Sequence, residues 1–556
     1  MRKLSEFLVA AASCLLPLEA LGVDPESTDE VAAHSSPWPM QIAADGRTVV
    51  VHAPQIESWA NNQLQGRAAV SVQVEGAEQP NFGVIRFTAS TETDTANQVV
   101  SVRDFAIGSA DFPAASDRGA DYLALLKRHL RSLKWNIALQ RLQSDLAIDR
   151  AMQQARRQPL RNDPPRIFFT ERPAILVPVD GTPVLRALHD SGFMRVVNTR
   201  ALILFDRTVQ RYYLFIAGRW MTAQSLDGTW AVTDSVPAQL QRAKELAIQK
   251  DQVELLEADG EQSRFASAAP AVYVSTTPAE LLQTDGAPEY APIENTRLLY
   301  VTNSPNKIFL DLVTQQHYAL ISGRWLRAPR LEQNSWQYVS GAELPADFAM
   351  IPPDHPMASV RAAVPGTPQA NEAIIANSVP QVASVRRSAA SLEITYDGEA
   401  TLRPIAGTSL QYAVNAPIPV ISIGENDYYA LDNGVWFAAS SPYGPWSVAS
   451  YVPQVIYSIP RSSPLHYVTY VRVYDATPET VYVGYTPGYV GSYVAGDGVV
   501  VYGTGWAYRP WIGSVWYGPP VTWGHGFTVI YSWWNPWWPW GTVGWTQNPC
   551  FRPWWG

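Results

Sequence analysis

The sequence predicts a mainly β protein with an N-terminal α+β domain, three all-β repeats and an aromatic Gly/Pro-rich C-terminal segment. Three observations predict this: a thrice-used Gly-x-Trp motif, alternating strands followed by two helical runs, and an abrupt change of composition near residue 461. In the first copy of the motif, Tyr212-Tyr213 precedes Gly218-Arg219-Trp220, with Trp230 further on. The second copy has His317-Tyr318, Gly323-Arg324-Trp325 and Trp336, and the third has Tyr428-Tyr429, Gly434-Val435-Trp436 and Trp446. Asp180-Gly181, Asp285-Gly286 and Asp397-Gly398 stand 40, 40 and 39 residues before the Gly-x-Trp tryptophan of their copy. Spacing held that closely marks an internal structural repeat.

Taken in order, residues 1–22 have a short basic start, an apolar stretch and a small-residue end, the layout of a secretory signal peptide. Cys14 follows Ala11-Ala12-Ser13, but the Leu of a lipoprotein cleavage site is absent, so ordinary export is preferred to lipidation. Residues 37–160 read as the α+β domain, with strands at Thr48–His52, Ala68–Val74, Val84–Ala89 and Gln98–Phe105. Two helical faces follow, one through Tyr122, Leu126, Leu130 and Leu133, the other through Leu139, Leu142 and Leu146. Asn162-Asp163-Pro164-Pro165 ends the domain. Repeat 1 spans 166–237, a helical spacer 238–268, repeat 2 271–345, a Pro-rich linker 346–381 and repeat 3 382–460. Locally joined antiparallel strands make each repeat a compact β unit, packed with the others in a propeller-like or sandwich-like body or standing as a separate small domain. The Tyr/Trp/Gly/Pro-rich tail covers 461–556, and its Trp533-to-Trp540 run cannot be a central strand because its prolines lack ladder donors.

Composition narrows the function. Net charge is −9 and the pI about 5.5, which argues against a nucleic-acid surface. Only Cys14 and Cys550 occur, so no intramolecular disulfide survives signal cleavage. The eight histidines are scattered without ligand spacing, so no metal or other cofactor is expected. No apolar run after the N-terminus is long enough for a membrane helix. The tail's aromatic residues are the one expected point of membrane contact.

A Trp that recurs at one place in every copy reads as core, and Trp220, Trp325 and Trp436 take that role. Gly218, Gly323 and Gly434 serve the preceding turn. Trp230, Trp336 and Trp446 lie nearer loops and are the ligand-binding candidates, because an exposed indole can stack on the apolar face of a sugar. Asp180, Asp285 and Asp397 suggest paired catalytic carboxylates, as in glycosidases, but the glycine after each (Gly181, Gly286, Gly398) makes them hairpin-turn residues. His189-Asp190-Ser191 sets triad residue types side by side, whereas a triad assembles in space from separate elements. No nucleophile elbow or phosphate loop is present, and no catalytic residue is assigned.

Val364-Pro-Gly-Thr-Pro-Gln-Ala-Asn-Glu-Ala-Ile-Ile-Ala-Asn-Ser-Val-Pro380, Ser441-Pro-Tyr-Gly-Pro-Trp446, Val455-Ile-Tyr-Ser-Ile-Pro460 and Val483-Gly-Tyr-Thr-Pro-Gly-Tyr489 carry a resemblance. Together they resemble a family of exported bacterial proteins of unknown function, sometimes labelled carbohydrate-binding family V/XII proteins. The resemblance covers about residues 37 to 525, and the Trp/Pro-rich end departs from it. It implies export to the periplasm or cell surface and an envelope polysaccharide, or another envelope protein, as partner. The expectation is a noncatalytic envelope protein that binds or scaffolds. A polysaccharide-acting hydrolase and a structural protein acting through the aromatic tail are the alternatives.

Overall fold

The computed structural model describes residues 38–517 except 76–80, 116, 189–191, 217, 250–252, 254, 256–268, 333–334 and 515. The expected signal peptide, both cysteines, the His189-Asp190-Ser191 run and the Trp533-to-Trp540 run lie outside the described residues.

The chain is mainly β, and it begins with a seven-stranded antiparallel sheet curled into a half-barrel. Its long strands, Gln63–Val74, Asn81–Asp94 and Val99–Asp111, turn alternate residues inward. Val70, Val72, Ile85, Phe87, Val100 and Val102 are buried there. Helix α1 (Gly119–Leu130) covers this face with Tyr122, Leu125, Leu126 and Leu130. Helix α2 (Leu139–Arg156) begins in the same core through Leu142, but its second half sends Ile148 and Met152 into a different core.

Three six-stranded antiparallel meanders follow, each in simple sequential order. They run from Leu185–Ala187 to Ala231–Val232, from Tyr290–Pro292 to Gln337–Val339, and from Leu402–Pro404 to Ser447–Val448. In each, the Gly-x-Trp strand pairs with the strand before it, placing Trp220 opposite Phe215, Trp325 opposite Leu320 and Trp436 opposite Leu431. Ser322-Gly323 (φ 52 and 76) and Asn433-Gly434 (φ 47 and 76) form two-residue turns whose positive φ matches strand twist.

The Asp-Gly pairs are turns of a different kind from the hairpins expected. Each bends the chain between an extended lead-in and the first meander strand, with Gly181, Gly286 and Gly398 at φ 80, 81 and 86. An asparagine from the neighbouring connection closes the bend. Asn198 Nδ2 donates to the carbonyls of Asp180 (3.0 Å) and Thr182 (2.9 Å), and its Oδ1 accepts from Val184 N (2.8 Å). Asn303 repeats this on Asp285, Ala287 and Glu289, and Asn415 on Asp397, Glu399 and Thr401. Each amide thereby satisfies backbone groups that a bend would otherwise leave open.

The described start of the spacer and the linker are covering layers. Helix α3 (Ala238–Gln249) lays Leu240, Ala243 and Ala247 over Leu204, Phe215 and Trp220 of the first meander. On the second, the 3-10 turns Ala346–Met350 and Ala358–Ala363 place Phe348, Ile351 and Val360 against Phe309, Tyr318 and Trp325. On the third, Gln454–Ser458 and His466–Tyr470 bring Ile456, Ile459 and Val468 to Trp436. Trp325 Nε1 donates to Ala363 O at 2.8 Å and Trp436 Nε1 to Val471 O at 3.2 Å, the same bond in two settings. Val236-Pro237, Leu344-Pro345 and Val452-Pro453 each open a cover, with Leu240, Phe348 or Ile456 three residues after the proline. Pro352 and Pro460 stop the second and third covers from continuing as helices, because proline supplies no backbone donor.

The lead-in strands of the first two meanders clasp each other. Arg166–Thr170 pairs in parallel with Ala279–Gln283, and Ala174–Pro178 with Ala271–Ser275, so equivalent segments exchange places. Phe168 and Tyr273 meet across this clasp at 4.9 Å. The third meander has no such clasp; Gln381–Arg386 pairs antiparallel with Thr480–Tyr485, which also pairs with Val471–Ala476.

Part of the described tail, up to Val501, packs into the core. Tyr467, Tyr489, Tyr493, Val499 and Val501 are buried with Trp436. Arg324, itself buried, ties three segments together: Nε donates to Asn162 Oδ1 (3.0 Å), Nη1 to Tyr502 O (2.6 Å) and Nη2 to Gly503 O (2.8 Å).

Candidate functional site

Because α2 belongs to two cores, a cleft opens where the half-barrel meets the C-terminal core. It measures about 420 Å³, within the range of small-molecule sites, and junctions between folded bodies are where such sites concentrate. Trp38 and Trp135 stand in one wall, edge to face at 5.7 Å. The Trp38 indole N–H is buried and has no hydrogen-bond partner. Asn97, Gln98 and Asn136 add planar amides from the end of the sheet.

The opposite side is charged. Helical spacing sets Arg141, Asp145 and Asp149 one turn apart along α2. Strand Val471–Ala476 brings Arg472 and Asp475 to face them. Arg141 joins the two elements, with Nε 3.8 Å from Asp145 Oδ2 and Nη1 3.3 Å from Asp475 Oδ1. Sharing one guanidinium holds the two carboxyl groups within roughly 10 Å, a span that paired acid/base carboxylates use. Burial raises the Asp145 carboxyl above the ordinary carboxylate value, and the charges of Arg141 and Arg472 oppose that rise. The Tyr474 phenol beside it is also raised, chiefly by burial.

The residues singled out in the sequence lie elsewhere. Trp220, Trp325 and Trp436 are core side chains at 5%, 3% and 0% exposure. The ligand-binding expectation is corrected at two of its three positions: Trp230 and Trp336 are also buried, so neither offers a ring face to a sugar. Their loop-side positions in sequence fold inward because each ring fills the space between meander and lead-in strand. Trp446 is half-buried between two small cores, with its indole N–H enclosed. The carboxylates of the Asp-Gly bends stand in three separate settings. Asp180 is pushed up to about 7 by burial, Asp285 is exposed, and Asp397 accepts from Trp511 Nε1 at 3.3 Å.

None of the cleft residues carried a signal strong enough to name from sequence. The i, i+4 series Arg141, Asp145, Asp149 was legible on α2, but such a series reads first as a solvated helix face. Among the described residues no group of three His, Cys, Asp or Glu side chains could hold a metal ion, and no helix is long and apolar enough to cross a membrane. Comparison with family models, curated proteins and solved structures finds no match to the chain.

Proposed function

We propose that this is a noncatalytic, exported envelope protein that binds or scaffolds a glycan, held in the cleft between the half-barrel and the C-terminal core. The observation that carries the reading is the cleft's make-up: indole rings, side-chain amides, carboxylates and guanidinium groups on facing walls. Adjacent sugar hydroxyls pair with planar polar groups of that kind, and indoles supply apolar area against the sugar ring. The meanders are read as three copies of one β unit, since bend, hairpin and cover recur in them, and as one body that keeps the cleft walls in register.

A hydrolase acting on the same polymer is the second reading. It is favoured by Asp145 and Asp475 flanking Arg141, with burial raising Asp145 toward the protonated form that a general acid needs. Calorimetric titration with soluble envelope oligosaccharides, followed by assay for new reducing ends, separates the two. Binding without cleavage is the expected result. Cleavage that disappears in both Asp145→Asn and Asp475→Asn would establish the hydrolase, and absence of binding would remove the glycan reading.

A further inference from the structure

We infer that the cleft selects a saccharide bearing a carboxylate, which docks on Arg472 and Arg156. This rests on the glycan reading above and specifies the ligand's charge. Of the three arginines that line the cleft, Arg141 is already engaged by Asp145 and Asp475. Arg472 acts on Asp145 only through its charge, without a contact to it. Its Nη2 reaches the thioether of Met152 at 2.9 Å, a weak acceptor, and no carboxylate lies within 4.0 Å of its guanidinium among the described residues. Arg156 lies over the ring of Tyr470 at 5.7 Å, also without a carboxylate in salt-bridge range. A guanidinium presents a rigid fork that matches the two oxygens of a carboxylate.

The acidic side chains of the same cleft are better satisfied. Asp475 is held by Arg141, and Asp149 accepts from Gln153 Nε2 at 2.6 Å. Asp145 also faces Arg141, whose Nε lies 3.8 Å from its Oδ2. Arg472 and Arg156 are therefore the cleft's two guanidinium groups without a carboxylate within 4.0 Å among the described residues. The Trp38 and Trp135 rings and the amides of Asn97 and Asn136 favour a sugar acid over an acidic peptide.

The test is calorimetric titration of the whole protein with tetragalacturonate, chitotetraose and tetraglutamate. Tetragalacturonate should bind roughly ten-fold more tightly than chitotetraose. Arg472→Gln and the more exposed Arg156→Gln should each remove most of that advantage, weakening tetragalacturonate far more than chitotetraose. If circular dichroism shows Arg472→Gln unfolded, Arg156→Gln alone decides. Equal affinity for the two oligosaccharides overturns the inference and leaves the glycan reading standing. Binding of neither saccharide overturns both, and tighter binding of tetraglutamate overturns the choice of a saccharide.

Discussion

His466 shows how one buried side chain ties stability to acidity. Its Nδ1 lies 2.8 Å from Ile459 O, while Nε2 is enclosed without a partner, and Tyr470 and Tyr493 flank the ring. Burial lowers its pKa to about 3, the bond to Ile459 opposes this, and Arg461 and Arg156 lower it further. In the unfolded chain it protonates near the ordinary 6.5. Between those values the unfolded state binds the extra proton, so stability falls as pH drops from about 6.5 toward 3. The slope from this one group reaches about 1.4 kcal/mol per pH unit. His52, lowered by burial to about 4, acts in the same direction. Urea unfolding at pH 7 and pH 4.5 should show His466→Gln losing less stability on acidification than the native chain. An equal loss in both would remove His466 as the cause.

At the scale of elements, one motif meets different surroundings in its three settings. Gly323 and Gly434 have the same φ of 76, so alanine strains either turn by about 1 kcal/mol. A methyl on Gly434 would meet only the Tyr485 ring, at 3.5 Å, whereas one on Gly323 would collide with the backbone at Val500 and Val501. Gly323→Ala should therefore destabilise the protein more than Gly434→Ala, by about 1–3 kcal/mol. Equal midpoints in denaturant would show that the 492–502 hairpin does not hold the second meander.

The lead-in strands differ likewise. In the clasp Leu176 and Leu281 are buried, and the corresponding third-copy position is Glu393, exposed between Ser391 and Thr395. The segment before the third meander carries a polar face there and takes no part in a clasp among the described residues. Sequence spacing made the Gly-x-Trp hairpins and the buried first tryptophans legible, but it read the Asp-Gly pairs as hairpins because the asparagine that closes each bend lies far along the chain. It did not reveal the covers. They repeat only Val/Leu-Pro followed by one apolar residue, and one copy is an α-helix where the others are 3-10 turns. The loop-side tryptophans misled for a related reason, because nearness to a loop in sequence says nothing about which way a ring points once the lead-in strand closes over it.

On the scale of the whole molecule, segments far apart in sequence build the parts that matter. Asn162 and Gly503 meet at Arg324, and Arg141 and Asp475 meet across the cleft. No periodicity records such meetings, which is why the candidate site was illegible while the β units were not. If the proposed function holds, ligand binds in this cleft and not at the recurring tryptophans. Titrating tetragalacturonate against the native protein, Trp38→Ala and Trp446→Ala tests it most directly. The cleft account predicts that Trp38→Ala weakens binding about ten-fold or more and that Trp446→Ala binds like the native chain. Loss of binding in Trp446→Ala with Trp38→Ala unaffected would contradict it.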